Sequence, residues 1–127
     1  MTGVTAFRAV VIEHFRRPRN RGPLADANGS AEGANPLCGD RIRIQVLARD
    51  GAIVDAGFTA DACALCIAAA SLLTEGARGL PLKETACLDP IWLTAALEGA
   101  PPPGRAKCVA LPLDTLHRAI ASIRAGA

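Results

Sequence analysis

The hydrophobic positions change period along the chain. From Thr5 to Arg16, Phe7, Val10, Val11, His14 and Phe15 fall at i, i+3, i+4, i+7 and i+8, one face of a 3.6-residue repeat. This predicts an amphipathic helix with Thr5 as its N-cap. Pro18 ends it, because proline disfavours helical geometry in the residue before it. Arg19 to Pro36 is rich in Gly, Asn and Pro and predicts mainly loop, with a short edge strand around Ser30 to Ala34. At Arg41 the period switches to two. Ile42, Ile44, Val46 and Ala48 alternate with Arg41, Arg43, Gln45 and Leu47, which predicts a strand with one buried and one wet face. Asp50–Gly51 marks a hairpin turn, and Ala52 to Ala60 predicts the returning strand.

Beyond the hairpin the alternation stops. Ala62 to Thr74 carries almost no charge, and "CALCIAAASLLTEGA" predicts a largely buried helix, capped by Asp61 and ending near Gly76 or Gly79. A short helical turn follows, then a break at Asp89–Pro90 and a helix to about Glu98. Pro101 to Gly104 predicts a stiff linker. Leu113, Leu116, Ile120 and Ile123 stand at helical spacing within a last helix, Leu111 to Ala125. Strands and helices are segregated along the chain. The fold class is therefore α+β: a small antiparallel β-sheet, a meander, with helices packed on one face. No internal repeat and no second domain is visible, so residues 1–127 read as a single domain.

Composition narrows the function classes. Half of the residues are apolar, yet aromatics are limited to three Phe and one Trp, so the core must rest on Leu, Ile, Val and Ala. The net charge of +2 is too small to suggest a nucleic-acid partner. The local arginine cluster in "FRRPRNRG" (Phe15 to Gly22) reads either as a solvated helix end or as a docking patch for an acidic partner. No apolar run reaches the ~18 residues that span a membrane, and the N-terminus shows no signal-type pattern. A cytoplasmic location is the expectation. Five cysteines in such a chain favour metal or sulfur chemistry over a disulfide framework.

Cys38, Cys63 and Cys108 all fall at the ends of predicted elements, where function concentrates. Cys38 precedes the first strand of the hairpin, and Cys63 follows the second. The two strands are about equal in length, so the reversal should return both thiols to one edge of the sheet. The amide dipoles of a helix N-terminus favour an anion, which makes Cys63 a candidate thiolate. Three thiolates plus the Asp40 carboxylate would form a four-ligand site for Zn²⁺ or iron–sulfur chemistry, with one oxygen ligand easier to displace than sulfur. The alternative is that these are inert buried cysteines.

Four stretches taken together carry a resemblance: "NPLCGDRIRI", "DAGF", "CALCIAAASLLTE" and "RAKCVALPLDTL", preceded by "IEHFRRPRNRG". In this order, over nearly the whole chain, they resemble the iron–sulfur cluster assembly scaffold family, IscU/SufU and the N-terminal domain of NifU. The resemblance implies an α+β fold whose three cysteines and CGD aspartate gather at one end. It implies a cysteine desulfurase as sulfur donor and a transient [2Fe–2S] cluster passed to apo-proteins or carrier proteins. Carried over by position, the ligands are Cys38, Asp40, Cys63 and Cys108. Zn²⁺ binds at the same residues in many members. Cys108 is the candidate persulfide acceptor.

Three departures from the family pattern stand out. Lys107 occupies a position that is histidine in many IscU proteins, as it does in SufU-type members. The insertion usual between the second and third cysteines of SufU-type members is absent. Ala62 stands where glycine is usual and would resist a positive φ. The role expected is a scaffold without turnover of its own; the alternative is a zinc-dependent SufU-type sulfurtransferase that activates a cysteine desulfurase, and a third reading is a structural zinc module. Lys107 reads as a support for the Cys108 thiolate or persulfide, or as an exposed lysine. Cys66 reads as a small buried hydrophobe, or as a resolving thiol or alternative ligand in a C-x-x-C pattern. Cys87 reads as structural. His14 and His117 read as hydrogen-bonded packing residues.

Overall fold

The computed structural model describes residues 8–123. Helix α1 runs Ala9–Arg16, and three strands follow: β1 Gly29–Asn35, β2 Asp40–Arg49 and β3 Ala52–Asp61. Helices α2 Ala64–Ala77, α3 Pro90–Ala96 and α4 Ala106–Ala121 complete the chain, with 3₁₀ turns at Leu82–Cys87 and Pro103–Arg105. The strands form one antiparallel sheet in the order β1-β2-β3. The expected α+β architecture is what is observed. The anticipated edge strand is present and longer than expected. Thr5 and Phe7, expected in the first helix, lie outside the described residues.

The β2–β3 turn follows from its two residues. Asp50 and Gly51 adopt φ of 53° and 78°, a turn whose twist matches the strands it joins. Near the turn Ala48 faces Ile53, but Leu47 faces Asp55, so Val54 is an extra residue on β3. This bulge reconciles an odd spacing: Ile53, Ala56 and Phe58 all reach the buried face, against Ala48, Val46 and Ile44. Phe58, Ile44, Ile53 and Val46 are among the most enclosed side chains of the molecule.

Helices α2 and α4 cover this face, and α1 packs on α2. Helix α2 is buried from Leu65 to Thr74, as its lack of charge predicts. At about 100° per residue, the buried face of α1 is centred between Val11 and His14. Phe15 falls at the edge of that face and is 43% exposed. Ser71 of α2 ties α1 and the following loop together. Its hydroxyl accepts from the Arg19 amide at 2.8 Å and is hydrogen-bonded to His14 Nδ1 at 2.7 Å. Burial and then Arg19 lower the His14 pKa, in keeping with a neutral ring. Helix α4 lies against β1 at two glycines, where a Cβ on Gly29 would stand 2.6 Å from the Ala119 carbonyl oxygen.

Three helix starts differ from expectation. Helix α1 begins at Ala9, with Arg8 rather than Thr5 at its N-cap. Asp61 ends β3, and the N-cap of α2 is Cys63. Helix α4 starts at Ala106, five residues before Leu111, and so contains Pro112. A proline leaves the carbonyl four residues back, here that of Cys108, without its helical amide. The bond is forfeited because the flanking turns bury Cys108, Leu116 and Ala119. Asp89 caps α3 as a break there implies, its Oδ1 accepting from the Trp92 amide at 2.8 Å. Among the described residues no helix is long and apolar enough to cross a membrane.

Candidate metal centre

Three elements end at one place. Asp40 opens β2, Cys63 caps α2 and Cys108 sits in the first turn of α4. One ligand atom from each of the three lies within 4.8 Å of the others. Asp40 is buried and orients the start of α2, its Oδ1 accepting from the Cys63 amide at 3.0 Å. A carboxylate beside a helix N-terminus is favoured by the dipole as well as by this bond. Ala62, before Cys63, does not adopt a positive φ, so the alanine is accommodated there without strain.

The second carboxylate oxygen, Asp40 Oδ2, is buried and has no hydrogen-bond partner. A buried anionic oxygen without a donor is costly, and such groups call for an explanation. Two thiols stand beside this carboxylate, and thiolate and carboxylate are both cation ligands. The donor set therefore fits a thiophilic cation.

Electrostatics at Cys108 point the same way. Burial, then the Cys63 thiol and the Asp40 carboxylate, push the Cys108 thiol up to about 12, against the pull of the Arg105 guanidinium. Without a cation, Cys108 is a thiol at neutral pH, and a metal must displace its proton. Cys66, one turn along α2, is fully enclosed, and burial followed by Asp40, Cys63 and Cys108 raises its pKa.

The residues expected at the site separate in space. Asp40, Cys63 and Cys108 come together. Cys38 is exposed in the β1–β2 turn, where its amide donates to the Asn35 carbonyl at 3.1 Å, and lies outside the group. The strand count behind the expectation that the hairpin sets Cys38 beside Cys63 is shifted by the bulge. In the register of the turn, the count would put Cys38 opposite Cys63. Beyond the extra residue Arg41 faces Asp61, and the same count puts Gly39 there instead. Cys66 lies outside the group too, and Cys87 is exposed. Both histidines are engaged elsewhere: His117 Nε2 donates to the Leu88 carbonyl at 2.6 Å.

The cation beside the thiols is Arg105, a residue that sequence reasoning passed over. Its guanidinium charge acts on Cys108 and Cys63, and both thiols raise its pKa. Lys107 is exposed. A signal was present: Arg105 precedes Cys108 by three residues, and i and i+3 share a face once the helix extends back to Ala106. In metal-free protein an Arg105→Ala variant should alkylate several-fold more slowly at Cys108 between pH 8 and pH 10, with Lys107→Ala unchanged. Residue-resolved iodoacetamide labelling measures both; equal slowing by the two variants would refute the assignment.

Comparison with known proteins places this geometry. The family described as NifU-like N terminal domain matches residues 6–126. The iron–sulfur cluster assembly scaffold protein IscU of Aquifex aeolicus is 39% identical over 112 residues, covering 87% of this chain and 71% of that protein. The zinc-dependent sulfurtransferase SufU of Bacillus subtilis is 31% identical over 140 residues, covering 96% and 94%. The crystal structure of the SufU of Fervidobacterium islandicum superposes with a TM-score of 0.80 at 21% identity, covering 94% of this chain and 99% of that one, and so shares the fold. The chain belongs to the NifU-like N-terminal domain family, the family of the IscU and SufU proteins.

Proposed function

We propose that this chain is an iron–sulfur cluster assembly scaffold. It accepts persulfide sulfur from a cysteine desulfurase, assembles a [2Fe–2S] cluster as its cargo and passes the cluster to apo-proteins or carrier proteins. The observation that carries this reading is the buried Asp40 carboxylate beside two thiols, with its Oδ2 left without a hydrogen-bond partner. Cys63, Cys108 and Asp40 form a preset half-enclosed donor set. Cys38, two residues before Asp40 on a surface turn, is the fourth ligand and the movable one. An oxygen ligand among sulfurs weakens the grip, which suits a site that must release what it holds. Cys108 is the persulfide acceptor, and Arg105 steadies the anion there.

The scaffold function named for the Aquifex relative and the zinc-dependent sulfur transfer named for the Bacillus relative call for the same donors. The second reading is favoured by Arg105, which equips the thiol pair to hold a persulfide anion whether or not a cluster follows. Anaerobic reconstitution with ferrous iron, L-cysteine and a cysteine desulfurase separates the two. The scaffold reading predicts a visible chromophore with stoichiometric iron and acid-labile sulfide, lost in Cys63→Ser and Cys108→Ser. Asp40→Ala should still form it but release it to an apo-acceptor more slowly. A colourless protein that keeps zinc and accelerates the desulfurase would contradict the scaffold reading in favour of the second.

A further inference from the structure

The metal site leaves one neighbouring thiol without a task. Cys63, the N-cap of α2, has φ −69° and ψ 165°, and Cys66 is the third helical residue. Side chains at the N-cap and third positions meet across the first turn, the arrangement that lets a capping box close. That turn is formed, since the Ile67 amide donates to the Cys63 carbonyl at 3.0 Å. Cys66 has no exposed surface. A thiol enclosed in this way can react only with a sulfur that the protein itself holds beside it. Residues three apart on a helix stand about 5–6 Å apart at Cβ, a little more than the roughly 3.5–4.5 Å of a disulfide. Cys63 lies outside helical φ/ψ and is the partner able to close that gap.

We propose that Cys66 is a resolving thiol that converts a persulfide on Cys63 into sulfide by forming a Cys63–Cys66 disulfide. The inference rests on the sulfur-acceptor reading above: the Cys63 thiol, within 4.8 Å of Cys108, takes the outer sulfur of the Cys108 persulfide, and Cys108 regains its proton as a thiol. The Cys66 sulfur attacks Cys63 Sγ. The Sγ–Sγ bond forms, and the bond from Cys63 Sγ to the outer sulfur breaks. The outer sulfur of the persulfide anion takes up the Cys66 proton and leaves as hydrosulfide. It is reduced by two electrons, and the two cysteines are oxidised by two. A dithiol reductant then restores the pair. Cluster assembly consumes sulfide, whereas a persulfide carries sulfur one reduction step short of it. An enclosed thiol next to Cys63 supplies those electrons where the sulfide is used.

The test uses the full chain, metal-free and without added thiol. It is mixed with a cysteine desulfurase bearing a radiosulfur-labelled persulfide and cleared of free cysteine. The expected result is labelled sulfide in solution and an equal amount of Cys63–Cys66 disulfide peptide by mass spectrometry. Cys66→Ala should keep the label as protein persulfide and release none. Peptide mapping of the parent decides the matter even if that variant folds poorly. A parent that keeps its label as a stable persulfide, or sulfide release without the Cys63–Cys66 peptide, overturns the inference and leaves the scaffold reading standing. Label that never reaches the chain overturns both.

Discussion

Replacing Cys63 or Cys108 by serine is expected to weaken zinc binding on the order of 10²–10³-fold. Structural zinc sites gain about 10–16 kcal/mol from their ligands, so one of four accounts for about 3 kcal/mol, and every 1.4 kcal/mol is about tenfold. Each substitution removes one of the three donors that stand within 4.8 Å of each other. Cys87→Ser should match the parent, because Cys87 is exposed and outside the donor group. Cys38→Ser should fall between, since its thiol joins only when the β1–β2 turn closes. Competition against a chromophoric chelator measures all four. The metal-free parent should remain folded, because Phe58, Ile44, Leu73 and Leu116 anchor an apolar core to which the donors contribute only Cys108. Equal affinities for Cys63→Ser and Cys87→Ser would remove the basis for the site.

The largest expected loss of stability comes from β1. A side chain on Gly33 would run into Thr115 and stand 2.8 Å from Leu111 Cδ1, both on α4. Gly33→Leu must displace the Thr115 and Leu111 side chains or shift α4, and overpacking of this kind costs about 1–3 kcal/mol. For a domain of this size that is roughly 10 °C in thermal midpoint. Because α4 carries Cys108, the same variant should lose zinc affinity along with stability. Gly104→Ala is the matched control: nothing lies within 4 Å of its Cβ position, and its φ is not positive. Calorimetry of the two variants tests the close approach, and a Gly33→Leu protein as stable as the parent would disprove it.

Much of the fold was legible because its signals are local. The alternation from Ile42 to Ala48, the Asp50–Gly51 turn and the uncharged run of α2 each need only a few neighbouring residues, and each is found where the pattern puts it. The features that were missed depend on tertiary structure. The Val54 bulge leaves no clear mark in sequence, yet it shifts the register by one residue, and Asp40 is the residue whose carboxylate meets the Cys63 amide at the start of α2. The start of α4 was hidden by Pro112, whose lost backbone bond is outweighed by the packing of the turns around it. That misplaced start also hid Arg105, since a linker residue has no helical face to share with Cys108. The family pattern supplied the donor residues; their spatial grouping, and the exposure of Cys38, came from the structure.

The central claim is that Asp40, Cys63 and Cys108 form one centre for a thiophilic cation. X-ray absorption at the zinc edge of the zinc-loaded protein tests it most directly. The account predicts a mixed shell, with sulfur at about 2.3 Å and one oxygen at about 2.0–2.2 Å. It predicts that Cys108→Ser loses one sulfur and Asp40→Ala loses the oxygen at that distance. A shell of nitrogen and oxygen alone, or a four-sulfur shell unchanged by Asp40→Ala, would contradict it.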